Sequence, residues 1–480
     1  MRLNRATLER LPPAVQRPAQ RGPIGVGIVH LGPGAFHRAH QAAYIDTLLD
    51  HDPRWGIAAV ALRSRGIVDV LAAQDGLYTL AIRDAMPAWR VLDAHRAWLG
   101  PDDGAATMRV LARPETALVT TTVTEKGYCL APDGTLDFNH RDIVHDLAAP
   151  ARPISAIGWI VAGLAARRAA GDAPFVVMPC DNLPGNGAAV RAALIALARA
   201  RDGSLADWIA GEVRVATTMV DAITPASDAA LIAATATVLG VDDAIPVQRE
   251  AFAQWVIEDI GAFGPDLAAG GAIVTGDVGA YERAKLRILN GSHSTLAYVG
   301  LLRGHASVAR AMADRALAGF VATMIAAEIA PSLPPAPGLD LADYAAAVLD
   351  RFRNSVLVHR LEQIAWDGSQ KLPYRLLDTL AARRRAGAPP GRVAAAAGAW
   401  VAFLMQRARA GVPLVDPAAA TLTGAAADGD GAIVVARLAA AGLLPLPDDL
   451  TGRAVAAAAD AASGGDWPQF FARAAEAACS

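Results

Sequence analysis

Residues 25–50 read GVGIVHLGPGAFHRAHQAAYIDTLLD, and this stretch decides the fold. Gly25 to Leu31 is an apolar, β-branched run, the pattern of a buried strand. Gly32-Pro33-Gly34 is a tight turn, and Ala35 to Leu49 has helical character, with apolar residues at Phe36, Ala39, Ala43 and Leu48. Strand, glycine turn and helix in that order is the layout of a dinucleotide-binding unit. Glycines let the backbone approach a pyrophosphate, and a helix N-terminus offers free N–H groups and positive potential. The match to G-x-G-x-x-G is incomplete, because His37 stands in the third glycine's place. An ordinary strand-to-helix turn is the competing reading.

Further along, apolar runs at Trp55 to Leu62, Ala117 to Val123, Phe175 to Met178 and Val213 to Val220 alternate with helical stretches at Ser155 to Ala170 and Ala188 to Ala200. That alternation predicts an α/β domain with a mainly parallel, doubly wound, Rossmann-type sheet. Polar clusters follow three of these strands: Thr124 to Tyr128, Cys180 to Pro184 and Asp221 to Pro225. Ligands in open α/β sheets gather beyond the carboxyl ends of strands, although such residues also form ordinary turns. The second strand ends in Leu62-Arg63-Ser64-Arg65 and not in the acidic residue usual for NAD. Arg63 or Arg65 either pairs with a 2′-phosphate or is simply solvated, which leaves NAD and NADP both open.

Beyond about residue 285 strand signals fade. Ala- and Arg-rich helical segments follow, broken by Pro331 to Pro337, Pro389-Pro390 and Pro413. The expected organisation is a nicotinamide dinucleotide domain at 1–284 and a mostly α-helical domain at 285–480. The Ala-rich stretches 379–400 and 417–462 read as small-residue helix packing. At the junction lies YERAKLRILNGSHSTLAYV (281–299). At about 100° per residue, Asn290 lies roughly 140° and His293 roughly 80° round from Lys285, so the three fit one arc of a helix. Gly291 and Ser292 weaken the helix where these polar groups fall.

The 480 residues, 53% of them hydrophobic, suffice for more than one core. A net charge of −3 argues against nucleic acid or an anionic membrane as main partner. Cys129, Cys180 and Cys479 show neither disulfide nor metal-ligand spacing, so no metal is expected. The N-terminus lacks an apolar h-region, and no apolar run is long enough to span a bilayer. A cytoplasmic protein is expected, as a monomer or small homo-oligomer.

Eight motifs in order, HLGPGAFHRAHQ (30–41), QDGLYTL (74–80), TVTEKGYC (122–129), CDNLPGNG (180–187), TMVD (218–221), QWVIED (254–259), KLRILNGSH (285–293) and DGSQKLP (367–373), resemble the mannitol dehydrogenase family of long-chain polyol and sugar-acid dehydrogenases. The resemblance covers about Leu3 to Asp378. It implies a Rossmann-type domain followed by a helical domain, a nicotinamide cofactor and no zinc. It also implies Lys285 as general base, with Asn290 and His293 as partners and Asn182 on the oxyanion side. Gly32, Gly34, Ala35 and Phe36 fall in the implied cofactor loop, with Arg63, Glu125 and Asp221 added on the cofactor side; Glu125 resembles a carboxylate that gates proton exit. His359, Arg360 and Lys371 are implied substrate contacts. Ala222, Ser355 and Met178-Pro179-Cys180 depart from the family pattern at substrate-side positions.

The implied chemistry is hydride transfer between a nicotinamide and a secondary alcohol of a polyol, mannitol to fructose in type. A fructuronate reductase acting on the mannonate/fructuronate pair is the sister reading, in which Arg360 or Lys371 meets the carboxylate. A non-catalytic dinucleotide-binding sensor is the alternative of another class, and it gives no reason for the Lys285, Asn290 and His293 trio.

Overall fold

The computed structural model describes residues 1–84, 86–356 and 359–476, so Cys479 lies outside the described residues. The chain divides into two compact units, Met1–Gly279 and Ala280–Ser480.

In the first unit the strands are, in chain order, β1 (Val15–Gln16), β2 (Val26–Leu31), β3 (Gly56–Val60), β4 (Tyr78–Ile82), β5 (Ala88–Leu92), β6 (His95–Leu99), β7 (Leu118–Thr121), β8 (Val176–Pro179), β9 (Thr218–Asp221), β10 (Val247–Arg249), β11 (Gln254–Glu258) and β12 (Ile273–Thr275). The central sheet runs β6-β3-β2-β7-β8 with every pair parallel. Taken in chain order within that sheet, this is the 3-2-1-4-5 arrangement of a Rossmann fold, and its order reverses between β2 and β7. β2, β3, β7 and β8 are buried almost throughout, as strands covered on both faces must be. One cluster, with Val29, Val60, Val119 and Val177, packs on helices Ala156–Ala170 and Asn186–Arg201; a second, with Ile28, Ile57 and Leu118, packs on the opposite face.

Two expectations need correction here. Val213 to Val220 is not one strand of the parallel sheet. Only Val215 bridges to Val177, and β9 then pairs antiparallel with β11 in a separate three-stranded sheet. The apolar run therefore crosses from one sheet to the next, and Asp221 ends a strand outside the central sheet. The helix at Ala35 to Leu49 is broken at His40 (φ −117°, ψ −90°) into Ala35–Ala39 and Gln41–Leu48.

The second unit is helical. Helix Gly391–Ala410 is buried along Val393 to Met405 and packs on helix Asp449–Ser463. A Cβ at Gly398 would lie 2.6 Å from the Val455 carbonyl oxygen, so the alanines and glycines here do serve close helix packing. No helix among the described residues is long and apolar enough to cross a membrane.

Candidate active site

The glycine turn follows β2 at the point where the sheet order reverses. Gly32 has φ +91°, and a Cβ there would lie 2.4 Å from the Thr122 carbonyl oxygen. Only glycine fits, because strand ends β2 and β7 close on each other. Gly34 is different: its φ is −69°, and the nearest atom to a Cβ would be the Gly32 oxygen at 3.9 Å. Gly32 to Gly34, Ala61 to Ser64, and Thr122-Val123 line an open cleft of about 270 Å³. This cradle fits a dinucleotide, with a bare backbone on one side and the start of a helix behind it.

Beneath the turn lies a buried histidine group. His30, on β2, bonds Thr120 Oγ1 through Nδ1 (2.7 Å) and Thr122 Oγ1 through Nε2 (2.9 Å). The His37 ring stacks on His30 at 3.4 Å, and its Nε2 lies 3.0 Å from His95 Nε2. A glycine at position 37 normally lets helix and strand approach closely; here two stacked imidazoles fill that space instead. Burial lowers the pKa of His30 and of His95 to about 3 and drives His37 the same way, so all three are neutral.

Of the residues expected on the cofactor side, Gly32, Gly34 and Arg63 line the cleft. Ala35 and Phe36 open the helix behind it, and Phe36 stacks on His40 at 5.0 Å. Arg63 is paired with buried Asp142. Burial alone would raise the Asp142 pKa, but Arg63 outweighs it and the net shift is downward. Arg65 is paired with Asp103 and Asp69. Glu125 is exposed and begins the short 3₁₀ turn Glu125–Tyr128 beyond β7. Asp221 is buried and adds to the upward shift that burial gives Tyr44.

Asp181 was not singled out in the sequence, yet it fixes this rim. It accepts from the backbone N–H of Val123 (3.1 Å) and Thr124 (2.9 Å) and from the Tyr128 hydroxyl (2.6 Å). Asn182, beside it, is exposed just past β8. The available signal was a carboxylate directly after a buried strand, a common place to tie down the neighbouring loop. Cys129, His140 and Asp142 also converge, with ligand-type atoms within 4.8 Å of one another, which their sequence spacing did not show. Asp142 is already held by Arg63, and His140 Nδ1 accepts the Asp142 N–H.

In the second unit, helix Val278–Ala284 runs into a π-helical segment, Lys285–Asn290, and then helix Gly291–Leu302. The expected placement of the trio assumed an α-helix throughout. The wider turn of an i→i+5 ladder instead brings Asn290 closer to the face of Lys285 than an α-helix would. Two further π segments, Ile325–Ile329 and Pro373–Leu377, pack on the first. The reason for one contact is plain: a Cβ at Gly291 would lie 2.6 Å from the Arg375 carbonyl oxygen. π segments are rare and concentrate at functional sites.

Lys285 is 8% exposed. His293 packs on Phe352 (4.4 Å) and edge-to-face on His359 (6.0 Å). Nε2 of His293 and Nε2 of His359 are both buried without a hydrogen-bond partner. Burial, then neighbouring cations, holds His293 well below the usual imidazole range and His359 at about 4. Such atoms are costly unless something bonds them. Lys371 donates to the Trp366 carbonyl (2.8 Å) and lies 3.7 Å from Asp367; Arg360 is exposed at the start of helix Leu361–Ile364. The structure thus gathers His293 and His359 in one place and sets Lys371 on the helix leading into the packed π segment.

Residues 26–268 match the Mannitol dehydrogenase Rossmann domain, and residues 277–443 match the Mannitol dehydrogenase C-terminal domain. The D-mannonate oxidoreductase of Escherichia coli (strain K12) is 42% identical over 401 residues, 81% of this chain and 82% of that protein. The mannitol 2-dehydrogenase of Phaeosphaeria nodorum is 38% identical over 415 residues, 84% of this chain and 73% of that protein. Among solved structures, Pseudomonas fluorescens mannitol 2-dehydrogenase in ternary complex with NAD and D-mannitol is 36% identical, with a TM-score of 0.83 and 99% of each chain covered. With both of its domains matched, the chain belongs to the mannitol dehydrogenase family.

Proposed function

We propose that this chain interconverts a secondary alcohol and a ketone on a polyhydroxylated carbon chain, with NAD as cofactor. The substrate pair is mannitol and fructose in type, or the corresponding sugar acid and its keto form. The observation that carries the proposal is the buried π segment, which sets an amine and an amide on one face beside unpartnered imidazole nitrogens.

Gly32, Gly34 and the residues around them hold the dinucleotide, and a bound nicotinamide supplies the acceptor for the hydride. Lys285 takes the hydroxyl proton and returns it in the reverse direction. A lysine base must be uncharged, and burial favours the uncharged form. Asn290 and Asn182 donate to the oxygen as it gains negative charge, each donor contributing about 3–4 kcal/mol in comparable sites. His293 and His359 orient the substrate through their free ring nitrogens. Arg360 and Lys371 are proposed substrate contacts, Glu125 a proton exit, and Asp221, Ala35 and Phe36 supports of the cofactor side.

NAD is preferred in this proposal because Arg63 and Arg65, the cations a 2′-phosphate would use, are already paired with carboxylates. Turnover is proposed to need no metal. A panel of hexitols, ketoses, aldonates and ketouronates assayed with NAD(H) and NADP(H) tests the reading. NAD-linked turnover of at least one pair is expected. Dinucleotide binding with no turnover anywhere on the panel would favour the sensor alternative.

A further inference from the structure

Arg375 is a half-buried cation with a buried Nε and no anion beside it among the described residues. It lies in the π segment Pro373–Leu377, whose backbone abuts Gly291, one residue past Asn290. Its guanidinium donates to Ser294 Oγ (3.1 Å) and bonds the Tyr374 side chain, both neutral. Its Nε is buried with no partner, and among the described residues no carboxylate is within ion-pair distance. Arginine stays protonated in proteins, and a charge partly withdrawn from water and left without a counter-ion is costly. Of the titratable groups around it, Tyr374 and Tyr298 favour its charge, whereas Lys371 and His293 feel it as a like charge, and His293 also feels His359 and Arg351.

We propose that Arg375 binds a terminal carboxylate of the substrate, so that the preferred substrates are aldonates and their keto acids, not neutral hexitols. The inference rests on the hydride-transfer reading above and narrows its substrate class. Of the three cations considered at this site, Lys371 donates to the Trp366 carbonyl beside Asp367, and Arg360 is exposed. Of these, Arg375 alone combines a buried, unpartnered Nε with no acidic partner among the described residues. A planar guanidinium with an open Nε matches a carboxylate bidentately, and the pair would neutralise the charge. The open Nε2 atoms of His293 and His359 then face hydroxyls further along the same chain.

The test compares D-mannonate with D-mannitol under NAD, in wild type, Arg375→Gln and Arg375→Lys. Wild type is expected to favour mannonate by at least 100-fold in kcat/KM. Arg375→Gln should lose at least 100-fold on mannonate, chiefly in KM, with the mannitol rate changed by less than threefold. Arg375→Lys should recover part of the loss. A wild-type preference for mannitol, or an equal loss on both substrates in Arg375→Gln, would overturn the assignment while leaving hydride transfer intact. No turnover of either substrate, with none on the wider panel, would overturn both readings. Should Arg375→Gln fail to fold, calorimetry on wild type decides: mannonate must bind more tightly than mannitol, and equal affinities overturn the assignment.

Discussion

Replacing Gly32 with alanine puts a methyl group where the structure has none to spare. Position 32 has φ +91°, outside the narrow left-handed window of about +50 to +70° that L-residues tolerate, at a cost of about 1–2 kcal/mol. The added Cβ would lie 2.4 Å from the Thr122 carbonyl oxygen, which is backbone and cannot swing aside. Relief requires β2 and β7 to part, and that strains the Thr122 N–H bond to Leu31 (3.0 Å) that joins them. Backbone strain of this kind costs roughly 1–3 kcal/mol more. The sum, about 3 kcal/mol, corresponds to about a 100-fold loss at 1.4 kcal/mol per decade, divided between folding stability and dinucleotide affinity. Gly34→Ala is the control. Its φ is ordinary and its Cβ meets nothing closer than 3.9 Å, but the methyl faces the cleft. Thermal unfolding and NADH fluorescence titration separate the two. Gly32→Ala should lower both Tm and affinity, and Gly34→Ala affinity alone. Gly32→Ala with wild-type Tm and affinity within twofold would refute the close-approach argument.

Acid should unfold the protein through its buried imidazoles. His30 and His95 have folded pKa values lowered to about 3, against about 6.5 unfolded, so between those pH values the unfolded chain binds more protons and stability falls as pH falls. Each imidazole kept neutral contributes about 1.4 kcal/mol per pH unit in that window, so urea midpoints should decline steadily from pH 6.5 to 4; a flat profile contradicts the buried cluster. Glu328 is buried, accepts the Arg392 and Val393 N–H groups, and pairs with Arg383 and Arg392. Glu328→Ala should cost about 3–5 kcal/mol in denaturant unfolding, and a loss below about 1 kcal/mol would show that the pairs are not stabilising. Dialysis against EDTA should leave turnover unchanged. Loss restored by zinc would make the Cys129, His140 and Asp142 group a metal centre.

The sequence was informative where its periodicity matched the structure. A β-branched run ending in Gly-Pro-Gly announced β2 and its turn, and the alternation of runs announced a parallel sheet. It misled at Val213 to Val220, because an apolar run does not say when the chain leaves one sheet for another. It placed Asn290 too far round from Lys285, because nothing in KLRILN distinguishes the wider π-helical turn from an α-helical one. It passed over Asp181 beside Asn182, since a carboxylate that ties down a neighbouring loop through two backbone N–H groups and a tyrosine hydroxyl has no motif. Arg375 was hidden for another reason: within LPYRLLDTL it reads as the solvated face of a helix, and only packing shows its Nε withdrawn from water.

Lys285 carries the account. In Lys285→Ala, NAD-dependent turnover on the best substrate should fall at least 1000-fold, with the Kd for NADH within threefold of wild type. Turnover within tenfold of wild type in a correctly folded Lys285→Ala protein would contradict its role as the base.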